Sequence, residues 1–105
     1  MRFHSVSAYS PDSDQVGAVY MKCNDLKDTI ELMLSEDSGD RFWAEYWQLK
    51  IRHDRLRAML DKYETRSLDF ELECSPAILK RQLSWMREYL KVLEYRADVE
   101  GIQNK

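Results

Sequence analysis

Between Arg41 and Gly101 apolar residues recur at alternating spacings of four and three. Phe42, Tyr46, Leu49, His53, Leu56, Leu60 and Tyr63 make one such stripe, with His53 its most polar member. Leu79, Leu83, Met86, Leu90, Leu93 and Ala97 make a second. Each stripe predicts a long helix with one buried face, and together they predict a coiled-coil-like seam lasting about three heptads. The first helix is expected over about 40–64, a length of ~39 Å at the helical rise, and the second over about 76–100. Ser75-Pro76 opens the second, with Ser as the N-cap and Pro at the first helical position. Gly101 followed by Ile102 closes it, as expected for a left-handed cap with an apolar contact behind it.

A third, shorter helix is expected over about 24–34. Asn24 is its N-cap and Asp25 lies in its first turn, while Cys23, Leu26, Ile30, Met33 and Leu34 share a face. Eleven residues are marginal for an isolated helix, so it must dock on the hairpin. Residues 1–23 read as an N-terminal arm, in which Arg2–Ala8 and Gly17–Lys22 flank a polar turn as short extended segments. Leu68, Phe70, Leu72 and Cys74 alternate with acidic residues, which predicts an extended tip with one apolar side lidding the helix pair. The expected fold is all-α: a long antiparallel two-helix hairpin and a short N-terminal helix, residues 24–105 forming one helical domain.

Both long helices carry more apolar surface than the seam uses. Trp43, Trp47 and Ile51, spaced i, i+4, i+8, form a ridge beside the first stripe. Helix 24–34 is one cover for it and a second copy of the chain is another. Ile78, Trp85, Tyr89, Val92 and Val99 form a further stripe on the second helix, which is thus expected to be buried from two sides. These surplus faces predict a homo-oligomeric helical bundle.

Composition narrows the function. At 105 residues the chain suits one small domain, and its 33% charged share with 44% hydrophobic suits a folded, helix-rich protein. The net charge of −3 hides an asymmetry: residues 1–40 hold three Lys/Arg against eight Asp/Glu, and residues 41–105 hold thirteen against eleven. That balance argues against genomic nucleic acid as a partner but leaves room for a local anion pocket. The absence of any apolar run of ~18 residues argues against a membrane span, and Met1–Tyr20 lacks a signal peptide's apolar core. A cytosolic protein is expected.

Cys23, Cys74, His4 and His53 match no zinc spacing, and the two cysteines read as buried free thiols. No phosphate loop or nucleophile elbow occurs, His53 has no partner at a motif spacing, and Asp54, Asp61 and Glu64 read as solvated helix pairs. The sequence therefore argues against an enzyme and against any cofactor or metal. What remains is a set of aromatic and basic residues sharing helices. Trp43, Tyr46, Trp47, Lys50, Arg52, Arg55 and Arg57 lie on one, and Arg81, Trp85, Arg87, Tyr89 and Lys91 on its neighbour. Rings that stack bases beside cations that hold phosphates are what a nucleotide site requires. The other reading is that the rings are core and interface packing.

An ordered set of positions adds to this. Glu45-Tyr46, Leu49, Arg55-Leu56 and Met59-Leu60 are followed by Leu68-Asp69-Phe70, Cys74, Pro76 and Leu79. Gln82, Met86, Tyr89-Leu90, Leu93-Glu94, Arg96 and Glu100-Gly101-Ile102 complete it. It resembles a family of small phage and prophage proteins named from a crAss-like phage, over about residues 40–102. One departure is that Ser75 separates Cys74 from Pro76. More distantly, Leu79, Gln82-Leu83, Met86, Tyr89, Leu93 and Arg96 resemble the helical hairpin of phage anti-CBASS and anti-Thoeris proteins. Those sponges assemble into oligomers and hold cyclic-nucleotide immune signals between protomers. The resemblance implies a phage-encoded binding protein for a cyclic di- or trinucleotide, acting in the host cytosol. The residues expected to bind are Trp43, Tyr46, Lys50, Arg57, Arg87 and Lys91, with Arg87 and Lys91 facing the others from a neighbouring subunit. The competing expectation is an inhibitor or scaffold that grips a host protein through the Trp43/Trp47/Ile51 ridge.

Overall fold

The computed structural model describes residues 22–103, so the expected arm over 1–23 lies almost wholly outside the described residues. All the regular structure among those residues is helical. A 3-10 turn, Leu26–Thr29, leads into the single turn α1, Ile30–Met33. Two long helices follow: α2, Ser38–Glu64, and α3, Pro76–Glu100.

The first segment departs from the expected eleven-residue helix. Its cap is Asp25, one residue later than expected, whose carboxylate accepts from the backbone N–H of Leu26 at 2.9 Å. Asp28 completes the box by accepting from the backbone N–H groups of Asn24 and Asp25. Thr29 then donates its hydroxyl to the Leu26 carbonyl at 2.7 Å. These short-range side-chain bonds compete with the i to i+4 ladder and tighten the first turn into 3-10 geometry.

The long helices begin and end as their signals dictate. Asp37 caps α2 by accepting from Gly39 N–H at 3.1 Å, which starts the helix at Ser38, within the Ser38–Asp40 stretch where the sequence places its beginning. Ser75 caps α3 by accepting from Ile78 N–H, with Pro76 just inside. Gly101 adopts φ 67° at the other end, and Ile102 donates its N–H back to the Ala97 carbonyl at 2.9 Å while its side chain packs on the core. Arg66 occupies the equivalent left-handed position after α2, at φ 60°, without glycine's freedom to do so.

Contacts between α2 and α3 pair the start of one with the end of the other. Trp43 Nε1 donates to the Gln103 carbonyl, Tyr46 Oη donates to Glu94, and Lys80 pairs with Glu64 at 2.5 Å. Leu83, Leu90 and Leu93 are buried between the helices together with Phe42, Tyr46, His53 and Leu60. Tyr63, expected on the seam, is exposed and borders the hairpin tip. Leu68, Leu72 and Cys74 are half-buried there, whereas Phe70, expected on the same apolar side, is exposed.

The other side of α2 carries the segment 23–33. Cys23 and Leu32 are buried in one cluster with Trp43, Trp47 and Ile51, and Leu26 packs against it. Two polar ties fix the segment there: Gln48 donates to Thr29 Oγ1 at 2.9 Å, and Arg55 pairs with Asp25 at 2.7 Å. The tryptophan ridge is thus covered within one chain, by the first of the two covers considered above. Among the described elements, α3 packs on α2 alone.

Candidate functional site

The two aromatic groups have opposite surroundings. On α2, Phe42, Trp43, Tyr46 and Trp47 form a run of edge-to-face contacts with ring centroids 5.1–5.2 Å apart. Such contacts add to simple burial. Trp43 is 6% exposed and Tyr46 5%, and both polar tips are bonded, to Gln103 and Glu94. Burial, with the Glu94 carboxylate beside it, pushes the Tyr46 hydroxyl far above its ordinary pKa, so it remains a donor. Trp43 and Tyr46, expected to stack bases, are therefore packed in the core of the single chain. The ridge expected to grip a host protein is likewise buried rather than exposed.

On α3 the rings are open. Trp85 is 66% exposed, Tyr95 70% and Tyr89 45%, and Tyr89 contacts Glu45 through its hydroxyl. Tyr95 did not figure in the sequence pattern. Its position three residues after Val92 and four before Val99 is the signal that would have found it.

The four expected cations come to one side of the α2/α3 pair, within one chain. Lys80, Arg87 and Glu94 are spaced by sevens and so line one side of α3, as Lys50, Arg57 and Glu64 line one side of α2. Lys80 meets Glu64, and Glu94 meets Tyr46 one turn before Lys50. Arg87, midway between Lys80 and Glu94, therefore lies level with Arg57, and Lys91 level with Lys50. The arrangement needs no neighbouring subunit to bring these residues together, in contrast to the sequence expectation.

Their electrostatics differ. Lys50 is held at 3.3 Å by Asp54, whose other neighbour is His53 Nδ1 at 2.9 Å, and Lys91 lies 3.5 Å from Glu88. Arg57 and Arg87 are exposed and make no ion pair among the described residues. Two guanidinium groups held level on adjoining helices, with no carboxylate of their own, suit a phosphate geometrically.

A second concavity lies at the tip, about 780 Å³ in volume, bounded by Tyr63, Arg66, Phe70, Leu72, Cys74 and Pro76. Glu64, Glu71 and Glu73 also border it, against the single cation Arg66, so it is poorly suited to an anion. Among the described residues no cluster of His, Cys, Asp and Glu is placed to hold a metal ion. None of their helices is long and apolar enough to cross a membrane.

Fold and site together define a small helical protein with a cationic side and an exposed aromatic helix face. The Sequestin family model matches residues 36–99, which begin just before α2 and end within α3 and make up well over half of the chain. The chain belongs to the Sequestin family, and the family's name denotes a sequestering role. No curated protein and no solved structure matches it.

Proposed function

We propose that this chain is a phage-encoded, non-catalytic binding protein that sequesters a cyclic di- or trinucleotide immune signal in the host cytosol. The observation that carries the reading is Arg57 and Arg87, level on adjoining helices of the matched region and making no ion pair among the described residues. Each guanidinium offers a planar fork to a phosphate oxygen pair, a stronger contact than a neutral hydrogen bond. Lys50 and Lys91 flank the pair and exchange Asp54 and Glu88 for the ligand's phosphates. Sequestration needs affinity and copy number rather than turnover, so no nucleophile or general base is required. The protein works as a homo-oligomer, because among the described residues nothing covers the outer apolar face of α3.

The test is calorimetric titration with a panel of cyclic di- and trinucleotides. Wild-type protein is expected to bind at least one of them. Lys50→Ala and Arg87→Ala should each weaken binding at least tenfold, or ~1.4 kcal/mol, with unchanged circular dichroism. Wild-type protein that ignores the whole panel overturns the reading. It would favour the second one, an inhibitor that docks on a host protein. Such docking would use the exposed rings of α3, since the α2 ridge is covered.

A further inference from the structure

The outer face of α3 is the largest feature of the chain that the ligand reading leaves unused. Ile78, Trp85, Tyr89, Val92, Tyr95 and Val99 are all exposed on it, from 45% to 70%. Ile78, Trp85, Val92 and Val99 are spaced by sevens, which sets them in a straight line along the helix, with Tyr89 and Tyr95 on either side. Among the described elements α3 packs only on α2, so nothing described in the chain approaches this line. We infer that this face is the interface with a second copy of the same chain, closed by a two-fold axis.

Three observations select that occupant. The first is area. Taking about 150–250 Å² for an aromatic side chain and somewhat less for the aliphatic ones, the six residues expose roughly 700 Å². A stable interface buries about 800 Å² per partner, and a monomer's largest apolar patch is typically about 300–600 Å². The second is spacing. A seam of sevens running from Ile78 to Val99 needs a partner helix of matching repeat and length, and α3 of a second copy has both by construction. The third is charge. Arg81, Glu88 and Arg96 are interspersed along the line, both signs mixed, as suits self-association and not an anionic membrane or nucleic acid.

The pairing is compatible with the cationic site. Arg87 and Lys91 lie on the flank of α3 toward α2, away from the centre of the line, so a dimer leaves two cationic sides open to solvent. The inference rests on the homo-oligomer proposed above and not on the identity of its ligand.

The test compares the full chain with the double variant Trp85→Glu/Val92→Glu, whose two changes fall on exposed positions. Light scattering at micromolar concentration is expected to give twice the 12.6 kDa chain mass for wild type and one chain mass for the variant. Far-UV circular dichroism should show the same helix in both. Nucleotide titration of the variant keeps the two proposals separate, because loss of the dimer with binding retained supports both. A wild-type chain that stays monomeric overturns the inference, as does a variant that still assembles. A monomeric wild type whose Trp85 is shielded from acrylamide assigns the face to residues 1–21 instead, and equally overturns it.

Discussion

Two tryptophan-bearing faces of this chain look alike in sequence and end in opposite places. Trp43, Trp47 and Ile51 on α2 and Trp85, Tyr89 and Val92 on α3 each form an apolar ridge beside the seam. The α2 ridge is buried and the α3 ridge is exposed. The difference lies in residues 23–33, which are tied to α2 through Thr29 and Gln48 and through Asp25 and Arg55. No such segment reaches α3 among the described residues. The Sequestin match takes in both ridges but begins after the segment that covers one of them. A helical pattern thus reports that a face is apolar and is silent on what covers it.

Truncating one tryptophan on each helix should separate the two faces most strongly. Trp47→Ala, at a position 4% exposed, should cost about 3–5 kcal/mol by leaving a cavity in the cluster. Trp85→Ala should change the stability of the single chain by about 0.5 kcal/mol or less. Denaturant midpoints measured at low protein concentration check both, and equal losses would mean that the two ridges are not differently covered.

A chemical probe sharpens it at intermediate scale. Burial, with the Asp28 carboxylate nearby, pushes the Cys23 thiol up to about 11, whereas Cys74 is half-buried at the tip. Thiolate is the reactive form, so at pH 8 one thiol should react readily with a disulfide reagent and the other only after denaturation. Mass mapping should find the fast site at Cys74. Rapid labelling of Cys23 would show that the cover over the α2 ridge opens easily.

The smallest effect concerns the exposed tie. The Arg55 guanidinium holds the Asp25 carboxyl below its usual range. A depressed carboxylate contributes stability above its unfolded pKa, and that contribution fades as pH falls through the folded one. Arg55→Ala should therefore lower the melting midpoint slightly at neutral pH and not at all below the carboxylate range. A loss that persists in acid would show that Arg55 acts by packing rather than by charge.

Particular residues mark how far the sequence could be read. The seam of α3, its Ser75-Pro76 start and its Gly101 end were legible because each depends on side chains within one turn. The 3-10 turn at 26–29 was missed because Asp28 and Thr29 bond locally in a way that helix periodicity does not register. For the candidate site, Lys50, Arg57, Arg87 and Lys91 were chosen by chemistry and spacing, and the contacts from Tyr46 to Glu94 and from Glu64 to Lys80 set them on one side of the helix pair. Trp43 and Tyr46 were assigned to that site because a ring that stacks a base and a ring that fills a core have the same sequence signature.

By itself the sequence determined that two long helices form, where they are capped and which faces of them are apolar, since those follow from rotation per residue and from bonds inside one turn. Only the tertiary structure decided which apolar face is covered and which is left open. That choice turns on residues distant in sequence, Thr29 against Gln48 and Trp43 against Gln103, whose meeting no local rule specifies.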